Sequence, residues 1–244
     1  WTLTTNHGWP YWPAFAATLA LSFGGGVAVH QLVIRPNERG SALRVVIVTI
    51  GLLLILNGLT TLIWSGEVRA VQSPFPSRTI DVGGVAISVQ DIGTIAVVLA
   101  TVVVLWLLFQ YTTIGLAMRA AAVNPVEARL VGVRVAWMLS FGWGLAALLG
   151  AIRGMLAAPT VFLDPNMMQA ILIYAFAAAV LGGIDSPIGA VVGGLLLGVG
   201  LNLIGAYVDV VGADLRLPAA LAVILVVLLV KPTGIFGKRE VRKV

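Results

Sequence analysis

The polar stretch GLAMRAAAVNPVEARLVG, residues 115–132, lies between two long apolar runs. The first run, IGTIAVVLATVVVLWLLFQY, covers residues 92–111, and the second, AWMLSFGWGLAALLGAIRGMLAA, covers residues 136–158. A helix needs about 20 apolar residues to cross a bilayer, and both runs reach that length. The sequence therefore predicts two membrane spans joined by a loop at residues 112–135.

This loop has the composition of a helix rather than of a structureless connection. Ala120 and Ala128 favour helix, whereas Asn124 and Pro125 break it and begin a second turn. Gly132 can end that second piece. Arginines stand around it at positions 119, 129 and 134. The pattern predicts a small amphipathic helix that docks a partner at the membrane surface, and a solvated basic connector is the alternative.

The composition places the chain in a membrane. Hydrophobic residues make up 59% and charged residues 10% of the 244 residues, a balance that no soluble domain of this size could bury. The absence of cysteine excludes disulfides and thiolate metal sites. The net charge of +5 does not indicate a nucleic-acid partner, because the basic residues lie at the ends of apolar runs.

The apolar runs predict an all-α polytopic membrane protein with residues 1–244 in a single transmembrane domain. We expect about seven spans, at roughly residues 11–34, 44–64, 92–111, 136–158, 168–183, 188–207 and 216–231. The fifth has only about 16 residues, so it could stop short or be a broken helix. The chain starts without Met in a loop-like segment, and we expect it to be a piece of a longer protein.

The basic residues predict the orientation in the membrane. If the loop at residues 35–44 is cytoplasmic, seven alternating spans place the loop at 112–135 and the tail at 232–244 on the same side. Eleven Lys and Arg residues then lie on the cytoplasmic side and three on the other. This is a strong positive-inside bias. It predicts a multi-pass protein of the cell membrane with a cytoplasmic C-terminus.

The longest external loop, residues 65–91, contains a hairpin pattern. The segment RTIDVGGVAISVQD, residues 78–91, predicts two short strands around Gly83 and Gly84. Arg78, Gly83 and Gly84 are therefore candidates for contact with an external protein. A plain structured loop would have the same pattern.

Glycines and isolated polar residues indicate how the spans pack. Gly189 and Gly193 are four residues apart, as are Gly194 and Gly198, which predicts small-residue faces where helices approach closely. Arg153 lies inside an apolar span, where a charge costs about 2.5–3.5 kcal/mol on insertion scales. Arg153 is thus a candidate for the wall of a polar, water-filled vestibule or for an ion pair with Asp164. Asn57 and Asn202 are weaker signals of the same kind, and hydrogen bonds between helices are the favoured interpretation for them.

The sequence shows no sign of an enzyme. His7 and His30 have no partner at metal-ligand spacing, and we expect both to be incidental. GIFGKR, residues 234–239, lacks the spacing and the preceding strand of a phosphate-binding loop. The chain is expected to hold no cofactor and to hydrolyse no ATP.

Several segments resemble the membrane permeases of branched-chain amino-acid (Liv-type) ABC importers. They are GLAMRAAAVNPVEARLVGV from residue 115, LGGIDSPIGAVVGGLLLGVG from residue 181 and VKPTGIFGKREVRKV from residue 230. The join HQLVIRPNERGSALRVVIVTIGLLLILNG, from residue 30, also fits, so the resemblance extends from about residue 20 to the end.

The resemblance implies a permease subunit that moves branched-chain or related amino acids. In that family the loop between spans carries a coupling helix that sits in a groove of the cytoplasmic ATPase. The partners would be a second related permease, two cytoplasmic ATPases that hold ATP and Mg, and an external substrate-binding protein. The residues matched to the coupling helix are Gly115, Arg119, Ala120, Asn124, Glu127, Ala128 and Gly132.

Two features depart from the family pattern. The family has about two further N-terminal membrane passes, which we expect to be absent here, and small residues in place of Arg153 and Asp185. The solute could therefore be urea, a short amide or another small polar molecule. The rival classes are a secondary transporter or channel, which would normally need carboxylates or His within the spans, and a structural scaffold.

Overall fold

The computed structural model describes residues 1–38, 40–76, 78–82, 85–184, 186–207, 215–231 and 233–237. The chain divides into two compact units, Trp1–Pro165 and Asn166–Val244. Within the described residues the regular structure is helical, apart from one hairpin.

Unit one contains seven of the α-helices. They are α1 (Tyr11–Val29), α2 (Arg35–Asn37), α3 (Ala42–Trp64), α4 (Val89–Tyr111), α5 (Thr113–Val123), α6 (Pro125–Leu130) and α7 (Val135–Val161). A π-helical turn at His30–Ile34 joins α1 to α2, so the helix is continuous over Tyr11–Asn37. A second π-helical turn, Thr2–Asn6, precedes α1.

Among the described residues, five helices are long and apolar enough to cross a membrane. They are Tyr11–Asn37, Leu43–Trp64, Val89–Tyr111, Val135–Val161 and Pro187–Tyr207, and each agrees with a predicted span to within three residues at either end. The helices at the other two predicted spans have only 14 and 15 residues. A straight crossing needs about 20 residues, so these two helices are short for a full span.

The apolar side chains of the long helices lie on the outside of the molecule. None of the described side chains of α3 is buried, and Leu54 and Leu62 are 67% and 80% exposed. Water cannot be the solvent for such a surface, whereas helices satisfy their own backbone groups and are stable in lipid. The chain is thus a multi-pass membrane protein.

In unit one, α1 and α7 pack closely through glycines. A Cβ atom added to Gly26 would lie 2.6 Å from the carbonyl oxygen of Trp143, and one added to Gly144 would lie 2.8 Å from the ring of Phe23. Phe23 also packs edge-on against Phe141, with ring centroids 5.3 Å apart. The two helices therefore approach as closely as small residues allow, and we expect them to move together.

The predicted hairpin is present. Strands β1 (Thr79–Val82) and β2 (Val85–Ser88) pair antiparallel, with Thr79 opposite Ser88. Gly83 and Gly84 themselves lie outside the described residues. In the same loop, Arg69 exchanges two backbone hydrogen bonds of 2.9 and 2.8 Å with Leu163, which follows α7. The loop after α3 and the C-terminal end of α7 therefore lie at the same end of unit one.

Unit two contains α8 (Gln169–Gly182), α9 (Pro187–Tyr207) and α10 (Arg216–Val230). Its core is a cluster of small and branched side chains from all three helices: Ala177, Val180, Leu197, Ala220 and Ile224. The unit is thus a three-helix assembly with an interior of its own.

The segment Thr233–Gly237 folds back onto the end of α8. The amides of Ile235 and Phe236 donate hydrogen bonds of 2.9 Å to the carbonyl oxygens of Leu181 and Gly182, which are otherwise open at a helix C-terminus. Gly234 has φ of +75°, and a Cβ atom there would lie 2.6 Å from Val180 O. The part of GIFGKR that is described therefore caps a helix, which is a structural role.

Candidate functional site

The turn from α4 into α5 depends on one threonine and one glycine. Thr112 is the N-cap of α5, and its Oγ1 accepts a hydrogen bond of 3.0 Å from the amide of Gly115. A Cβ atom on Gly115 would clash with the backbone of Leu108 and Phe109. Only glycine therefore lets α5 fold back against the end of α4.

The turn from α5 into α6 is fixed by Asn124. Its Oδ1 accepts hydrogen bonds of 3.1 and 3.2 Å from the amides of Val126 and Glu127, and Pro125 occupies the first turn of α6. Gly132 follows the end of α6 with φ of +86°, a conformation that favours glycine. The loop between α4 and α7 is thus two short helices of defined shape.

The inner face of these two helices is anchored to α7. Ala121, Ala128 and Val135 form a buried cluster, and Ala120, Val133 and Met138 pack against it. The amide of Val133 also donates a 2.9 Å hydrogen bond to the carbonyl oxygen of Ala128. A force applied to α6 would therefore be passed directly to the start of α7.

The outer face is apolar and exposed. Val123 is 87%, Leu130 83% and Val131 79% exposed, with Val126 at 64%. These residues lie on or directly after two helices that are too short to span a membrane, and an exposed apolar patch of this kind is typical of a contact surface. We refer to Val123, Val126, Leu130 and Val131 as the docking face.

The residues matched to a coupling helix divide by position. Gly115 and Ala128 are buried and Asn124 caps α6, so they shape the loop, and Ala120 packs against the buried cluster. Arg119, Glu127 and Gly132 are exposed beside the docking face.

The sequence analysis missed the four apolar residues of the docking face, because apolar residues do not stand out in this chain. No local pattern distinguishes these exposed residues from buried neighbours such as Ala128.

A second feature that the sequence analysis missed is the environment of His30, which it treated as incidental. His30 is fully buried. Its Nε2 donates a 2.9 Å hydrogen bond to Glu38 Oε1, since a carboxylate can only accept, and its Nδ1 lies 2.8 Å from Ser140 Oγ. The imidazole thus links the π-helical turn after α1 to α7, about one turn beyond the buried cluster. No pattern of spacing could have revealed a contact across 110 residues.

The predicted residues of the translocation path lie on three different helices. Arg153 is exposed on α7, and among the described residues its side chain has no hydrogen bond or ion pair. Asn57 is half-buried on α3, and Asn202 is exposed on α9. Arg78 is exposed at the foot of the hairpin, where its carbonyl oxygen accepts a 2.9 Å hydrogen bond from Val89.

The four glycines predicted to pack have different surroundings. Gly189 and Gly193 touch α8, since added Cβ atoms would clash with the carbonyl oxygens of Gly182 and Ala178. A Cβ atom on Gly194 would make an ordinary 3.7 Å contact with Ala178, and one on Gly198 would meet no atom within 4 Å. The close helix contact therefore involves one glycine pair, Gly189 and Gly193.

The known proteins that are similar in sequence to this chain are transport permeases. Residues 1–231 match the family described as "Branched-chain amino acid transport system / permease component". The chain is 32% identical over 239 residues to the high-affinity branched-chain amino acid transport system permease protein BraD of Pseudomonas aeruginosa. The aligned residues cover 95% of this chain and 76% of BraD. It is 30% identical over 236 residues to LivH of Escherichia coli K12, covering 94% and 75% of the two chains. No solved structure matches it.

Proposed function

Because this chain belongs to the permease-component family of branched-chain amino acid transport systems, we propose that it is the membrane subunit of a binding-protein-dependent ABC importer. In this proposal it forms half of the translocation path for branched-chain or related amino acids. ATP hydrolysis by partner subunits drives the transport.

The observation that carries the proposal is the docking face. Its apolar side chains are exposed on two short helices, yet the helices have a fixed shape and a buried inner face. A loop that only connected two spans would need neither property. Covering one exposed leucine is worth about 1.5–3 kcal/mol, so a partner that buried several of these side chains could bind stably. The cytoplasmic ATPase is that partner.

The contacts of unit one provide a route from the ATPase to the spans. ATP-driven closure of the motor would move α5 and α6, and the cluster of Ala121, Ala128 and Val135 would pass the movement to α7. The glycine contact between α1 and α7, with the His30 link, would carry α1 along. Transport then follows if the ATPase binds the two states of the spans with different affinity.

The remaining partners are proposed from the surfaces that they would cover. A second related permease would cover part of the exposed apolar surface of the spans. An external binding protein would contact the hairpin, where Arg78 is exposed. The hairpin and the α5–α6 loop lie at opposite ends of α4, and the distribution of basic residues indicates that the hairpin is the external one.

Replacing Leu130 by Asp tests the proposal. The full-length permease is expressed with its transporter subunits, and ATPase co-purification and solute uptake in proteoliposomes are measured. We expect at least a tenfold loss of ATPase binding, because an unpaired carboxylate would replace a leucine that the bound ATPase buries. Ile80→Asp is the matched control for ATPase co-purification, since Ile80 is 48% exposed on the hairpin, which is not part of the docking face. Uptake that persists without any ATPase and follows an ion gradient would instead identify a secondary transporter.

The solute is tested separately in the same proteoliposomes. We expect leucine, isoleucine or valine to compete for uptake, since the relatives BraD and LivH are named for branched-chain amino acids. Competition by urea or a short amide, but not by these amino acids, would identify a different solute for the same kind of transporter.

A further inference from the structure

A polar cleft opens where the helix of α1 and α2 meets α6 and the start of α7. Its volume is about 850 Å³. The residues that line it are Gln31, Arg35, Pro36, Glu38, Pro125, Arg129, Val135, Ala136 and Leu139. We refer to this space as the arginine cleft. It lies beside the docking face but is formed by different residues.

The cations of the cleft are available to a ligand. Arg35 and Arg129 are both exposed, and among the described residues neither guanidinium has a hydrogen bond or an ion pair. The one carboxylate in the lining, Glu38, accepts the hydrogen bond from His30 through Oε1. The cleft therefore contains two guanidinium groups that have no partner among the described residues, while its carboxylate, Glu38, is bonded to His30. This combination favours an anionic ligand.

The neighbouring side chains indicate the depth of the cleft in the bilayer. Trp137 follows the lining residue Ala136 and is 56% exposed, and an exposed tryptophan near a span end is typical of the level of the headgroups. Leu32 and Leu139 are 77% and 40% exposed on the same two segments that line the cleft. Cationic and apolar surfaces thus meet here at the boundary of the membrane.

We propose that the arginine cleft binds the phosphate of an anionic phospholipid headgroup. A phospholipid matches both parts of this surface, since its phosphate pairs with Arg35 and Arg129 while its acyl chains cover Leu32 and Leu139. A soluble protein partner that paired with the arginines would leave these leucines to be covered by something else. The proposal requires only that the chain lies in a bilayer, so it does not depend on the transported solute.

The test compares lipid retention by variants of the full-length permease. The protein is purified in mild detergent, incubated with phosphatidylglycerol or phosphatidylcholine, and examined by native mass spectrometry. We expect the parent to retain phosphatidylglycerol selectively. Each basic side chain at an anionic surface contributes about fivefold to binding, so Arg35→Gln with Arg129→Gln should weaken retention about 25-fold.

Two control variants separate this site from a general charge effect. Arg44 is exposed at the start of α3 and does not line the cleft, so Arg44→Gln should retain the lipid as the parent does. Glu38→Gln removes the one carboxylate among the described lining residues, while its amide oxygen can still accept the hydrogen bond from His30. This variant should therefore retain phosphatidylglycerol more strongly than the parent. Unchanged melting temperatures show that the variants are folded.

Three results would overturn the proposal. The first is equal retention of phosphatidylglycerol by the double variant and the parent. The second is displacement of the lipid by millimolar inorganic phosphate, which would make the site one for free phosphate. The third is a double variant that keeps the lipid but loses the ATPase, which would assign the arginines to a protein interface.

Discussion

His30, Thr112 and Asn124 are polar residues whose side chains are occupied by structural contacts. The imidazole of His30 lies between Ser140 and Glu38, and the other two cap short helices. Since an unpaired polar group is costly in an apolar interior, the buried His30 must have a hydrogen-bond partner. Arg153 makes no side-chain hydrogen bond or ion pair within the part of the chain that the structure describes, so its presence in a span needs a different explanation.

At the residue scale, we predict that Arg153 faces water on the external half of the translocation path. Arg153→Cys should react with a membrane-impermeant thiol reagent added from outside, and the chain contains no other cysteine. Leu156→Cys is the matched control on the same helix, because Leu156 is 4% exposed and should stay unlabelled. Arg153→Ala should change the transport rate with little loss of folded protein.

The opposite result would have a clear meaning. If Arg153→Cys stays unlabelled and Arg153→Ala only lowers the melting temperature, the guanidinium is held by a partner subunit rather than by water. A charge that faced lipid alone would be too costly to keep.

At the scale of single elements, close backbone contacts determine which glycines matter. On α9, Gly189 and Gly193 touch the backbone of α8, while Gly198 faces open space. All three lie in one helix and have the same spacing pattern. The difference arises because a helix has several faces, and only the face toward α8 excludes a side chain.

This difference predicts opposite effects of one substitution at two positions. Gly193→Leu should destabilise the protein by about 1–3 kcal/mol or more, because the side chain would push α8 and α9 apart. Gly198→Leu should be neutral or slightly stabilising, since leucine has a higher helix propensity than glycine by about 0.5–1 kcal/mol. Thermal melting in detergent measures both variants. Equal melting temperatures for the two would show that α8 and α9 do not pack through Gly193.

At the scale of the whole molecule, the contacts within each unit agree with alternating spans. In unit one, Arg69 in the loop after α3 pairs with Leu163 after the C-terminal end of α7. The hydrogen bond between His30 and Ser140 joins the C-terminal end of α1 to the N-terminal part of α7. In unit two, the segment after α10 caps the end of α8. Each contact joins segments that the basic residues assign to the same side of the membrane.

The orientation can be tested with two cysteine variants. Thr79 is exposed on the hairpin and Thr113 is exposed at the start of α5. We expect Thr79→Cys to be labelled by an impermeant reagent in intact cells, and Thr113→Cys only after permeabilisation, because α5 lies on the positive side. The reversed pattern would place the docking face outside the cell, where no cytoplasmic ATPase could reach it.

Composition and local pattern were enough to determine the class, the helices and the hairpin of this protein. Runs of apolar residues near the length of a bilayer specify spans, and the loop helix, its break at Asn124 and the strands around Gly83 and Gly84 follow from local preferences of the backbone. These features depend on neighbours in the chain, so a single sequence contains them.

Tertiary structure alone decided which residues are exposed and which face the interior. Nothing local distinguishes Ala128, buried against Val135, from Leu130, which is 83% exposed. The same holds for Gly193 and Gly198, and for His30, whose partner Ser140 is 110 residues away. In an apolar membrane chain, hydrophobicity does not separate the inside from the outside, because lipid accepts the same side chains as the core. Only the packing of one helix against another makes that distinction.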